Sequence, residues 1–150
     1  MERVRVLDGV VETSLRILCL LNVVGDNLDK DRLVTYDYFS LYYHDVDANA
    51  CNLYGEEAFR SFSYLGGNEM ITRALHLLLI KKLIAFDIKS NVVTYKTSHI
   101  GAALFGELKT NVFAAKYVDV ARKVSAYFAE YSTEKLNEFV QLNASRWYSN

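Results

Sequence analysis

Met70-Ile-Thr-Arg-Ala-Leu-His-Leu-Leu-Leu-Ile-Lys-Lys-Leu-Ile-Ala-Phe-Asp-Ile-Lys-Ser-Asn-Val-Val-Thr-Tyr95 changes its repeat partway along, and that change decides the fold. In its first part Met70, Ile71, Ala74, Leu75, Leu77, Leu78 and Leu79 make an apolar face at helical spacing, while Thr72, Arg73 and His76 point elsewhere. Lys81 and Lys82 then suit the negative end of a helix. Past them the period drops to two: Leu83, Ile84, Phe86 and Ile88, a polar pair Ser90-Asn91, then Val92, Val93 and Tyr95, which predicts a β-hairpin turning at Ser90-Asn91.

Working outward towards the N-terminus, Leu7, Val10, Val11, Leu15, Leu18 and Leu21 follow helical spacing, and Gly25 can close that helix. From Ile17 to Val24 the run is apolar nearly all round, which places it in the middle of a core. Asp29 and Asp31 favour the start of a second helix carrying Leu33, Tyr36, Phe39, Ser40 and Tyr43 and ending near His44. The stretch from Asp45 to about Phe62 is polar and reads as a long surface loop. Helix, helix, packed helix and hairpin is the order of a winged helix, with the hairpin as the wing.

After the wing, Ser98 is placed to cap a helix ending at Leu108. A longer helix follows from about Asn111 to Tyr131, with Phe113, Tyr117, Val120, Ala121, Val124 and Phe128 on one side. Ser132 or Thr133 caps a last helix bearing Leu136, Phe139 and Val140. The expected fold is therefore mainly α with a small β-hairpin: one domain over residues 1–150, a winged-helix-like core followed by C-terminal helices over about 98–147. These helices are expected to lie against the core or against a second copy of the chain, which leaves a homodimer open.

Composition narrows the function. The chain has 150 residues, 51% hydrophobic, enough for one core, and 17 basic against 18 acidic side chains, so no global field draws it onto DNA or an acidic membrane. Proline is absent and glycine numbers only seven, so nothing reads as a linker. The apolar run Leu15–Val24 is about half of the roughly 20 residues that a membrane span needs. Cys19 and Cys51 lack metal or disulfide spacing. A cytoplasmic protein without membrane contact is expected.

Three groups resemble chemical sites and fail on detail. His44, Asp45 and Asp47 offer metal-ligand atoms but too few of them. Gly101-Ala-Ala-Leu-Phe-Gly106 has the glycine spacing of a phosphate loop, yet Glu107 and Leu108 stand where lysine and a hydroxyl belong. His44, His76 and His99 are dispersed and flank no recognisable nucleophile. No catalytic residue, cofactor or metal is therefore expected.

Two groups suggest binding. Arg73, His76, Lys81, Lys82, Lys89 and Lys96 gather on the third helix and wing, where a winged helix contacts phosphates, although Glu69 on the same helix favours weak or indirect contact over base reading. Eleven tyrosines and eight phenylalanines are many for this length, and Tyr36, Tyr38, Tyr42 and Tyr43 cannot all point inward from one helix, so either some of them meet a partner or they pack half-buried.

Four segments together carry a resemblance: Thr13-Ser-Leu-Arg-Ile-Leu-Cys-Leu-Leu21, Leu28-Asp-Lys-Asp-Arg-Leu-Val-Thr-Tyr-Asp-Tyr-Phe39, Arg60-Ser61, and Ala74-Leu-His-Leu-Leu-Leu-Ile-Lys-Lys-Leu-Ile84. The series resembles the middle component of bacterial ABC three-component systems, which overlap with Lamassu-type anti-phage and anti-plasmid defence. It runs from about Val11 to the helix after Phe113 and rests on apolar runs with Arg32, Leu33, Asp37, Tyr38, Asp45, Arg60 and Ser61. The resemblance implies a small non-catalytic subunit that sits with a coiled-coil ATPase of the structural-maintenance-of-chromosomes (SMC) kind and a separate effector, often a nuclease, with DNA met through the complex. The rival expectation is a free-standing winged-helix transcription regulator that binds DNA as a dimer.

Overall fold

The computed structural model describes residues 2–25, 27–51, 53 and 60–148, and the side chains of 9–25, 27–51, 53 and 68–143. Six helices and a small sheet follow in the order α1 (Glu2–Val24), β1 (Leu28–Asp29), α2 (Lys30–Leu41), α3 (Arg60–Ile80), β2 (Ile84–Lys89), β3 (Val92–Thr97), α4 (His99–Leu108), α5 (Val112–Tyr127) and α6 (Thr133–Tyr148). A 3-10 turn at Tyr43–Asp45 follows α2. The fold is mostly helical, with C-terminal helices after the strands. None of the described helices is long and apolar enough to cross a membrane.

Helix boundaries follow local chemistry. Gly25, at φ +76°, takes the left-handed conformation that ends α1. Asp29 caps α2 by accepting from the Arg32 amide at 2.8 Å, Ser98 caps α4 through Gly101 N at 3.1 Å, Asn111 caps α5 through Phe113 N at 3.0 Å, and Ser132 caps α6 through Lys135 N at 3.2 Å. Ser90 and Asn91, at φ +51° and +66°, make a two-residue turn with both central residues left-handed, whose twist suits a hairpin.

Three expectations change. The hairpin has a third strand: past the Gly25 turn, Leu28 pairs with Tyr95 and Asp29 with Thr94, giving an antiparallel sheet ordered β1-β3-β2. The polar run from Asp45 does not stay irregular to Phe62, because α3 starts at Arg60 and continues through Gly66 and Gly67; residues 52 and 54–59 of that run lie outside the described residues. Finally, α5 stops at Tyr127, where the Phe128 amide bonds back to Val124 O at 3.0 Å.

The core forms around α1 and α2. Ile17, Leu18, Cys19, Leu20 and Leu21 are all buried, as their run predicts. Helix α2 is buried at every position from Leu33 to Leu41, because α1, α3 and α5 all pack on it. Aromatic rings tie the C-terminal helices on: Phe128 lies 5.5 Å from Phe39 and 5.1 Å from Phe139, and Phe39 lies 5.4 Å from Phe139.

Candidate interaction surface

The hairpin alternates, so its register sorts its residues onto two faces. The pairs Ile84↔Thr97, Phe86↔Tyr95 and Ile88↔Val93 share one face with Leu28; Ala85↔Lys96, Asp87↔Thr94 and Lys89↔Val92 share the other with Asp29. On the first face Ile84 and Leu28 are buried and Tyr95 is half-buried, which seals the base of the ribbon against the helices. Its outer half is bare: Phe86 is 56% exposed, Ile88 58% and Val93 37%. Covering a large apolar side chain contributes about 1.5–3 kcal/mol, so this tip is a costly surface to leave in water.

The second face holds Lys89 and Lys96, set about 13 Å apart along β3 by the rise of an extended chain. Between them Asp29 and Asp87 flank Thr94 in one cross-strand row, so carboxylates interrupt the lysines. Arg73 and His76 are exposed on α3, and Arg73 is engaged by Glu69 one turn earlier at 3.0 Å. Lys81 and Lys82 lie in the turn after α3, where Lys82 adopts φ +60° and its carbonyl accepts from Ser98 Oγ at 2.7 Å. The six basic residues are thus all on α3, the turn and the sheet, but not in one uninterrupted stripe.

The tyrosines expected at an interface are elsewhere. Tyr36, Tyr38 and Tyr42 are only 3%, 5% and 2% exposed, and Tyr43 is half-buried. Helix α2 is enclosed on all sides, so four closely spaced tyrosines need not divide between core and water. Two of the hydroxyls find partners at its edges: Tyr36 accepts from Arg32 Nη1 at 2.9 Å, and Tyr38 donates to Asp45 Oδ2 at 3.2 Å. Among the described residues the exposed aromatics are Phe86 and Tyr127.

A polar group that the spacing arguments do not single out lies between α1, α2 and α5. Asp37 accepts from Arg16 Nε at 2.9 Å, from Arg16 Nη2 at 3.3 Å and from the Tyr117 hydroxyl at 2.7 Å; Arg16 Nη2 also reaches Thr13 Oγ1 at 3.2 Å. Burial first, then the Asp37 carboxylate, holds the Tyr117 phenol well above its usual pKa. Burial also pushes the nearby Cys19 thiol up to about 11, which keeps it protonated at neutral pH. A cleft of about 280 Å³ opens beside this group, with Leu15, Arg16, Cys19, Phe113 and Tyr117 in its wall. Its charged groups satisfy one another, as a buried pair must to offset its desolvation. The available signal was Arg16 and Asp37 standing inside otherwise apolar runs.

The remaining candidates have structural partners. His44 Nδ1 lies 3.1 Å from Ala50 O, Asp47 Oδ1 accepts from Asn49 N at 3.0 Å, and Asp45 receives Tyr38, so these three shape the turn after α2. Among the described residues no group of three or more histidine, cysteine or acidic side chains is placed to hold a metal ion. Gly101 is buried, and a Cβ there would meet Leu83 O and Thr97 Oγ1, whereas Gly106 faces open space. Arg60 and Ser61 fall in the first turn of α3, and their side chains lie outside the described residues.

A family model described as ABC-three component (ABC-3C) system Middle Component 2 matches residues 6–150. No curated protein and no solved structure matches the chain.

Proposed function

The chain belongs to the ABC-three component (ABC-3C) system Middle Component 2 family, and on that premise we propose that it is a non-catalytic adaptor whose hairpin is covered by a protein partner. The partner in this reading is a coiled-coil ATPase of the SMC kind, working in the cytoplasm with a nuclease-like effector in Lamassu-type anti-phage or anti-plasmid defence. The adaptor acts by preferring one state of the ATPase, since a ligand shifts an equilibrium only by its differential affinity. DNA is met through the assembled complex.

The bare outer half of the hairpin carries this reading. Phe86, Ile88 and Val93 protrude on one face of a ribbon whose base is locked into the core. A rigid aromatic with aliphatic neighbours is the kind of anchor that dominates protein interfaces, whereas phosphate binding has no use for it.

A second reading has its own support. The order α1-β1-α2-α3-β2-β3, with β1 on β3, is the one a winged helix would have, and Arg73 of α3, Lys81 and Lys82 in the turn after it, and the hairpin lysines suit a DNA-binding regulator. Against it stand Asp29 and Asp87 among the lysines and the Arg73–Glu69 pair.

A tagged chain recovered from its own host, with and without nuclease treatment, separates the two. The adaptor reading expects a long coiled-coil ATPase that remains bound after nuclease. Recovery of DNA alone, with binding weakened by replacing Arg73, Lys81 and Lys82, overturns it in favour of the regulator.

A further inference from the structure

The sheet order β1-β3-β2 leaves β2 at an edge, and among the described residues no other strand pairs with it. Across the two-residue turn Lys89 and Val92 face each other, so the backbone groups of Lys89, Asp87 and Ala85 point towards β3. Those of Phe86 and Ile88 then point outward, along the free edge. The Ile88 amide confirms this direction: it donates to its neighbour's carboxylate, Asp87 Oδ1, at 2.9 Å instead of to β3.

We propose that this edge pairs with the β2 edge of a second copy of the chain, antiparallel and about a two-fold axis at Ile88. Outward-facing residues must meet outward-facing residues, which leaves four two-fold registers over Phe86–Ser90, and the one centred on Lys89 sets two lysines opposite each other, a destabilising arrangement. Centring on Phe86 sets Asp87 against the partner's Ala85 and gives no charge pair. Centring on Asp87 sets two carboxylates opposite each other, a destabilising arrangement. Centring on Ile88 sets Asp87 opposite the partner's Lys89 and Lys89 opposite the partner's Asp87, with Ile88 against the partner's Ile88. Only this last register is self-complementary in charge and apolar character, and a two-fold interface requires self-complementarity.

In the single copy the Asp87–Ile88 contact closes the edge, which guards against indiscriminate strand addition. On pairing, the Ile88 amide passes to the partner's Ile88 carbonyl and Asp87 turns to the partner's Lys89. Pairing through the edge covers neither the exposed apolar tip nor the lysine-bearing face. It brings two sets of Phe86, Ile88 and Val93 into one continuous apolar surface, and it stands or falls independently of which partner covers that surface.

Sedimentation equilibrium on the full chain tests the proposal, with circular dichroism confirming that each variant folds. The wild type should dimerise with concentration, while Asp87→Lys and Lys89→Asp, each placing like charges across the axis, should remain monomeric at the same concentration. Mixing the two single variants should restore dimers as a heterodimer, as should the double exchange Asp87→Lys/Lys89→Asp. In a Cys51→Ser background, Ile88→Cys should oxidise to a linked dimer, because Cα atoms of a hydrogen-bonded antiparallel pair lie about 5.5 Å apart, within disulfide reach. A wild type monomeric up to about 1 mM, where association worth about 4 kcal/mol half-saturates, overturns the proposal. So do single variants that dimerise like the wild type, or a mixture that stays monomeric.

Discussion

Two glycines in α4 show what single residues decide. Gly101 is buried where a Cβ would run into Leu83 O and Thr97 Oγ1; Gly106 has nothing within reach of a Cβ. Alanine at Gly106 should therefore stabilise the protein by about 0.5–1 kcal/mol through helix propensity alone, and alanine at Gly101 should destabilise it. Urea unfolding of both variants checks the pair, and a shift of the same sign at both sites would contradict it. The sequence marks both as small residues in a helix; only the strand packed against α4 distinguishes them.

Titration at the buried thiol gives a second expectation at this scale. Cys19 is raised from 9.0 to about 11 by burial, and Tyr117 is raised in the same direction by burial and Asp37. Both folded pKa values lie above the unfolded ones, so both groups favour the folded state while protonated. Their contribution is complete at neutral pH, and the Cys19 share is lost as pH climbs from 9.0 to about 11. The urea midpoint of the wild type should fall more steeply over that window than that of Cys19→Ala; parallel curves would remove Cys19 from the account.

At the scale of elements, legibility tracked pattern length. The change of period after Lys82 and the Ser90-Asn91 pair locate the hairpin, and the caps at Ser98, Asn111 and Ser132 locate three helices. Strand β1 has only two residues, too few for alternation to register, and exists because Leu28 and Asp29 lie beside β3. Helix α2 misled in the opposite way: a helix buried all round carries no amphipathic signal, so its tyrosines read as surplus when they are core. Arg16, Asp37 and Tyr117 come from three helices, and no local spacing links them.

The C-terminal helices depend on one ring. Phe128 is fully buried and packs against Tyr36, Phe39, Tyr131 and Phe139, so it joins α5 and α6 to α2. Phe128→Ala should cost about 3–5 kcal/mol. Hydrogen exchange should show protection lost first in α6. Protection lost evenly along the chain would contradict that order.

Over the whole molecule the near-zero net charge hides a division. Residues 69–99 hold five basic side chains and two acidic ones, leaving twelve basic and sixteen acidic elsewhere, so this segment carries about +3 against −4 for the rest of the chain. This contrast steers encounter, while apolar contact supplies affinity once two surfaces meet. Partner binding should accordingly slow at higher salt and yet persist, unlike phosphate binding, whose affinity falls steeply with salt.

The most direct test of the adaptor account is the affinity of this protein for the coiled-coil ATPase recovered with it, measured by calorimetry for the wild type and for Phe86→Ser. Phe86 is exposed, so its replacement should leave the fold intact while weakening binding about 30-fold or more, as loss of a 2 kcal/mol anchor would. Unchanged affinity in a folded Phe86→Ser variant would contradict the claim that the hairpin's apolar face is what the partner covers.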